Sequence, residues 1–167
     1  MLVPTNEVKL ITTPYESIYL TETVIRDETM PTWDVHTKWA EQLGLPEGIT
    51  KFVNHLSDFP DKNREFMEFC AREGEAIITQ LVRAHDFSTI MKIPKYLQLA
   101  FVRYKGGDYV TSWYLHYALD YIRMAPELTT GEVLQRTEER FGSCDELERV
   151  WQFILENEKA VVSDCRK

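Results

Sequence analysis

The spacing of apolar residues predicts helices over most of the chain. Apolar residues recur with helical spacing over residues 33–43 and 49–56. Between these segments, Gly44 and Pro46 suit the end of one helix and the start of the next. A longer amphipathic pattern follows Asp61, a residue type that suits a helix N-cap, and it predicts a third helix.

Further helices are predicted in the second half of the chain. Pro94 suits the first turn of a helix that reaches Tyr104, because proline needs no hydrogen-bond partner there. Two residue pairs have capping-box spacing and predict the starts of the last two helices: Thr129 with Glu132, and Ser143 with Glu146. The final helix has a single apolar stripe formed by Leu147, Val150, Trp151, Ile154, Val161 and Val162.

The first 28 residues have a different pattern, which predicts a β-ribbon. Apolar and polar residues alternate near Val8, and residues 18–25 are rich in β-branched and aromatic types. Because two strands are marginally stable alone, we expect the hairpin to pack on the helices, and addition to a sheet edge of another chain is the alternative. The predicted fold class is therefore α+β and predominantly α-helical, with an N-terminal β-hairpin on about six or seven helices. One domain, 1–167, is expected, divided into a ribbon (1–28) and a helical body (32–163).

Composition excludes some classes of protein. The 44% apolar and 28% charged fractions are those of an ordinary globular protein, and the net charge of -8 argues against direct binding to duplex nucleic acid. No signal peptide and no membrane-spanning apolar run are recognisable. Cys70, Cys144 and Cys165 are odd in number and widely spaced, so we expect no disulfide framework. These features favour a reducing cytosol, in a cell or in a virus-infected host cell.

Residues 40–56 resemble the helix-turn-helix of DNA-binding regulators in Ala40 and in Gly44 four residues later. The resemblance implies a recognition helix that presents Lys51, Asn54 and His55 to DNA. Two packed helices joined by a glycine-containing turn explain the same pattern. The net negative charge of residues 36–75 favours this second explanation, so a DNA-binding regulator is retained as an alternative.

The order His55, then His85-Asp86, then Asp120 or Asp145 resembles metal-dependent HD-domain phosphohydrolases. The resemblance implies that His55, His85, Asp86 and one later aspartate ligate divalent ions that activate water for attack on a phosphoester. A histidine at a helix end also has a structural explanation, because it interacts favourably with the helix dipole. We keep the phosphohydrolase as an alternative and expect no metal or other cofactor.

The segment Lys105-Gly106-Gly107-Asp108 predicts a turn between two helices, with glycine ending one and Asp108 capping the next. Two alternatives remain open. The two glycines beside a lysine would suit a phosphate-binding nest, and the β-prone flanks would suit a hairpin over residues 101–113.

Residues 109–124 combine a predicted core face with a mixed face. Leu115, Ala118, Leu119 and Ile122 fall on one arc of the helix. The other side carries aromatic and polar residues: Tyr109, Trp113, His116, Tyr117, Asp120 and Arg123. A helix buried between two layers has the same composition, and His116 with Asp120 would also suit an acid-base pair. We predict that Trp113, His116, Tyr117 and Arg123 are at least partly exposed.

A recognition surface is the interpretation that we favour for this face. Residues 76–124 carry about +3 in an otherwise acidic chain, and aromatic rings give large contact areas at low conformational cost. The predicted binding residues are Lys95, Arg103, Lys105, Tyr109, Trp113, His116, Tyr117, Asp120 and Arg123. No nucleophile elbow, zinc-protease or dinucleotide motif occurs. We therefore expect a non-catalytic protein-binding module, such as an inhibitor, adaptor or assembly factor. It would bind a protein partner, for example at that partner's nucleic-acid surface, and self-association is left open.

Overall fold

A computed structural model describes residues 31–84 and 93–167 of the chain. These ranges contain eight α-helices and one short 3-10 helix, Pro60–Lys62. The α-helices are α1 (Trp33–Leu43), α2 (Glu47–Asp58), α3 (Arg64–Ala84), α4 (Ile93–Lys105), α5 (Gly107–Met124), α6 (Thr130–Phe141), α7 (Asp145–Glu156) and α8 (Glu158–Cys165).

The predicted α+β class is wrong, because the described residues are all helical and contain no strand. The predicted β-ribbon, residues 1–28, lies outside the described residues. The strand prediction depended on local β-propensity, which depends strongly on context. The predicted number of helices is also too low, since the last predicted helix is interrupted at Asn157 and continues as α8.

Helix α5 is the centre of the described fold. It packs against α1, α2, α4, α6, α7 and α8, while α3 packs against α4. The predicted core residues of α5 are confirmed, since Leu115, Ala118, Leu119 and Ile122 are all buried. A helix surrounded in this way has little surface left, so residues on its other side are buried as well.

Trp113 shows how completely α5 is enclosed. It is 1% exposed, and its indole N-H donates to Oε1 of Gln98 at 3.0 Å. Its ring stacks on Tyr117 at 5.6 Å and meets the edge of Phe141 at 5.2 Å. Trp113 is therefore a core side chain whose polar group has a buried partner.

Glycines define two of the predicted turns. Gly44 ends α1 with φ of 87°, a left-handed conformation that side chains other than glycine rarely adopt. Gly106 has φ of 139° and separates α4 from α5. The predicted helix-to-helix turn is confirmed, and the alternative hairpin over residues 101–113 is wrong. The predicted cap at Asp108 is also wrong, because Gly106 is the N-cap and Asp108 lies within the first turn of α5.

Among the other predicted helix starts, two agree with the structure and two differ. Pro94 lies in the first turn of α4, as predicted. The capping box of Thr129 and Glu132 is confirmed, with both reciprocal hydrogen bonds present. The box at Ser143 is wrong, since Cys144 is the N-cap and its Sγ accepts from the Leu147 N-H at 3.4 Å. The residue that caps α3 is Asn63 rather than Asp61, with its Oδ1 accepting from the Phe66 N-H at 3.0 Å.

No helix in the described ranges is both long enough and apolar enough to cross a membrane.

Candidate metal centre

Three helices bring four ionisable side chains to one point in the core. His36 comes from α1, Asp58 is the last residue of α2, and His116 and Asp120 lie one turn apart on α5. The i, i+4 spacing places His116 and Asp120 on the same face of α5, toward α1 and α2. His36, His116 and Asp58 are buried, while Asp120 is partly exposed.

Nitrogen and oxygen atoms of these residues are in close contact. Nε2 of His36 lies 2.9 Å from Oδ1 of Asp120, and Nε2 of His116 lies 3.3 Å from Oδ2 of the same carboxylate. Nε2 of His116 is also 3.3 Å from Oδ1 of Asp58. The two imidazole rings stack at 3.9 Å with an interplanar angle of 20°. Both rings thus present the same nitrogen to the carboxylates.

The other ring nitrogens are occupied by carbonyl oxygens. Nδ1 of His36 lies 2.9 Å from the Thr32 backbone carbonyl, and Nδ1 of His116 lies 2.9 Å from Oδ1 of Asn54. Because carbonyl oxygens only accept, each Nδ1 carries a proton, and Nε2 of a neutral ring is then an unprotonated lone pair. Histidines that ligate metals are held in this way by a hydrogen bond to the second nitrogen.

Asp58 is positioned by a similar outer contact. The indole N-H of Trp33 donates to Oδ2 of Asp58, which leaves Oδ1 facing His116. Trp33 is in the first turn of α1 and its ring meets the edge of Phe59. Helix α1 therefore supplies both a central histidine and the indole that orients the Asp58 carboxylate.

The close contacts between the histidines and Asp120 do not have the directions of hydrogen bonds. Within the described part of the chain, Nε2 of His36, Nε2 of His116 and Oδ1 of Asp120 are buried atoms without a hydrogen-bond partner. An unprotonated imidazole nitrogen and a carboxylate oxygen at 2.9 Å repel each other, because both are acceptors. A cation between them removes the repulsion.

The pKa shifts suit metal ligation. Burial lowers the pKa of His36, and the neighbouring His116 lowers it further. Burial alone would raise the pKa of Asp120, but His116 and His36 hold that pKa well below its usual range. At neutral pH, His36 is therefore neutral and Asp120 is ionised, which are the states in which these groups bind metals.

The spacing of the donor atoms also fits a coordination shell. Metal bonds of about 2.0 to 2.2 Å to nitrogen and oxygen place neighbouring ligand atoms about 2.8 to 3.1 Å apart in octahedral geometry and about 3.3 to 3.6 Å apart in tetrahedral geometry. The contacts in the cluster are 2.9 to 3.3 Å. One donor atom from each of His36, His116 and Asp120 lies within 4.8 Å of the others.

Of the nine predicted binding residues, only His116 and Asp120 belong to this cluster. The predicted exposure of Trp113 and His116 is wrong, because they are 1% and 3% exposed beneath the helices that surround α5. Tyr117 and Arg123 are half-buried, which agrees with the prediction of partial exposure.

The remaining predicted residues lie elsewhere on α4 and α5. Lys95, Lys105 and Tyr109 are half-buried, and Arg103 is exposed. Nζ of Lys105 pairs with Glu65 at 2.8 Å and lies 5.1 Å from the centre of the Tyr109 ring. The contacts of Lys105 and Tyr109 therefore lie outside the cluster of His36, Asp58, His116 and Asp120.

The helix-turn-helix and HD-domain resemblances can be compared with the structure residue by residue. Asn54 is buried and bonded to His116, so it does not face outward as a DNA-contacting residue of a recognition helix would. His55 is half-buried beside Phe59, with ring centres 5.9 Å apart. His85 and Asp86 lie outside the described residues.

His36, Asp58, Asn54 and Trp33 were not predicted to lie beside His116 and Asp120. His36 and Trp33 stand in a region without any recognisable motif, and they approach α5 only through tertiary packing. One signal was available for the others. Asn54 and Asp58 have the same i, i+4 spacing as His116 and Asp120, which marks two helix faces with matched polar pairs.

No family model matches the chain, and neither the curated proteins nor the solved structures contain a match to it.

Proposed function

We propose that this protein binds a divalent transition-metal ion through His36, His116 and Asp120, with Asp58 beside His116. The main support for the proposal is that buried hydrogen-bond acceptor atoms converge on one point. Nε2 of His36 and Oδ1 of Asp120 are buried 2.9 Å apart, and neither has a hydrogen-bond partner among the described residues. Their repulsion is relieved when both atoms bind one cation.

A proton on each histidine is the competing explanation, and it fits the geometry less well. Two imidazolium rings stacked at 3.9 Å would repel each other in a buried site. A single divalent ion neutralises the carboxylates of Asp58 and Asp120 and places no positive charge on either ring.

The ligand set narrows the identity of the ion. Imidazole nitrogen favours zinc, iron, nickel and copper, whereas sites for calcium and magnesium are built from oxygen. Two nitrogens with carboxylate oxygens suit Zn²⁺, Fe²⁺ or Mn²⁺, and two histidines with one carboxylate also form the ligand triad of non-haem iron proteins. The first choices for loading are therefore Zn²⁺, Fe²⁺ and Mn²⁺.

Metal content after dialysis tests the proposal. The purified protein is stripped with a chelator, loaded with Zn²⁺, Mn²⁺ or anaerobic Fe²⁺, dialysed, and analysed by mass spectrometry of the elements. We expect one ion per chain for the best of the three metals. His36→Ala and His116→Ala should lose it, whereas His55→Ala, which removes a histidine outside the cluster, should keep it.

Asp120→Asn shows whether metal is lost because a ligand is removed or because the variant is misfolded. It keeps the size of the side chain and removes a charged ligand, so a variant that folds normally by circular dichroism should still lose the ion. Wild-type protein without stoichiometric metal, or ligand variants that retain it, would contradict the proposal. Loss of metal in His55→Ala would instead favour the HD-like alternative.

We retain protein binding as a second proposal, restricted to the surface formed by Phe52, Arg103, Tyr104, Lys105 and Tyr109. Tyr104 is 69% exposed, and Nζ of Lys105 lies 5.0 Å from the centre of the Phe52 ring. An exposed aromatic side chain beside cations is typical of an interface anchor.

A double substitution tests this surface. Arg103→Ala with Tyr104→Ala should change the free energy of unfolding by no more than about 0.5 kcal/mol each, because both side chains are exposed. Proteins captured by the wild type should then be lost. A binding profile identical to that of the wild type would count against the surface.

A further inference from the structure

We infer that the metal centre keeps an exchangeable coordination position beside Asp120, which water occupies and which a small anion or an oxygen-donor substrate can take. The inference rests on the metal binding proposed above. It makes the centre a reaction site for small ligands rather than a closed structural site.

Outer support is distributed unevenly among the side chains of the cluster. His36 is held by the Thr32 carbonyl, His116 by Asn54, and the neighbouring Asp58 by the Trp33 indole. Asp120 differs, since its Oδ1 has no hydrogen-bond donor among the described residues. The two histidine ligands are thus fixed in orientation, while the Asp120 carboxylate can change between binding through one oxygen and through two.

Solvent access has the same asymmetry. The side chains of His36, His116 and Asp58 are 2%, 4% and 3% exposed, whereas the side chain of Asp120 is 20% exposed. The side chain of Asp120 is therefore the part of the cluster that is nearest to solvent. A closed structural site would have its ligands fixed and shielded on every side.

Ligand number and charge leave room for a further group. The chain offers three ligand side chains, while Fe²⁺ and Mn²⁺ take about six ligands and catalytic zinc takes an additional water. Asp120 with the neighbouring Asp58 already matches the charge of a divalent ion, so a neutral water molecule fills an open position without adding charge. Water bound in this way is acidified by the ion and becomes a nucleophile near neutral pH.

Cobalt substitution tests the inference. Co²⁺ in a closed tetrahedral site absorbs strongly in the visible region, whereas five- and six-coordinate Co²⁺ absorbs weakly. We expect the Co²⁺ protein to absorb weakly and azide to produce a new charge-transfer band that saturates at one azide per cobalt. The same spectra are expected for His55→Ala.

The outcomes distinguish failure of the exchangeable position from failure of metal binding itself. Strong tetrahedral absorption that azide does not change would overturn the exchangeable position and leave metal binding intact. Failure of the chain to hold one Co²⁺, Zn²⁺, Fe²⁺ or Mn²⁺ would overturn both. An azide band that Asp58→Asn and Asp120→Asn leave equally unchanged would place the bound ion at another site and overturn the inference as well.

Discussion

Loading the metal centre is expected to raise the melting temperature by an amount that binding linkage determines. The proposed ligands come from two helices, α1 and α5, that are distant in sequence, so the site exists only in the folded chain. An ion that binds only the folded state stabilises it by about 2.7 kcal/mol when its free concentration is about 100 times the dissociation constant. For a chain of 167 residues, each kcal/mol corresponds to about 2 to 4 °C. The expected rise is therefore about 5 to 11 °C.

Scanning calorimetry of chelated and metal-loaded protein measures this rise. His116→Ala and Asp120→Asn should remove most of it, because each loses a ligand that the remaining side chains do not replace. His55→Ala is the matched control and should retain the full rise. An equal rise in all variants would refute the reasoning, since it would show that the ion stabilises the protein from a different site.

Three further predictions concern the helical body. Trp113→Ala should cost about 3 to 5 kcal/mol in urea unfolding because the ring is core, and a cost below about 1 kcal/mol would contradict its burial. Thr129→Ala should cost about 1 kcal/mol through the lost cap, whereas Ser143→Ala should cost no more than about 0.5 kcal/mol, and equal costs would contradict the assigned caps. Burial raises the pKa of the Cys70 thiol to about 12, so at about pH 8 a thiol reagent should label half-buried Cys144 first, and faster labelling of Cys70 in peptide mapping would contradict this order.

Local chemistry explains which parts of the fold were predictable. The ends of α1 and α4, and the start of α6, depend on glycines or a capping box whose requirements involve neighbouring residues only. Ser143 failed as a cap because Cys144 took its place and the Ser143 hydroxyl donates to Glu138 instead. A capping pattern predicts the start of a helix well, but adjacent residues with similar chemistry compete for the cap position.

The mixed face of α5 could not be assigned from its own sequence. Trp113 and His116 have the same helical phase whether a surface or another layer of helices faces them. Burial was decided by α1 and α2, which pack on that side of α5. The polar residues are accordingly buried with partners from those helices, and the site became visible only when His36 and Asp58 were placed beside His116.

The assembly of the centre around α5 has a consequence for the kinetics of folding. His36 and His116 are far apart in the sequence, and contacts of this range form after the local helices and their loops have been ordered. We therefore expect the proposed ion to join a chain that has already folded, with its contacts absent from the folding transition state. A bound ion should then slow unfolding while leaving the folding rate unchanged. Metal would give this protein a longer lifetime in the native state without making that state any faster to reach.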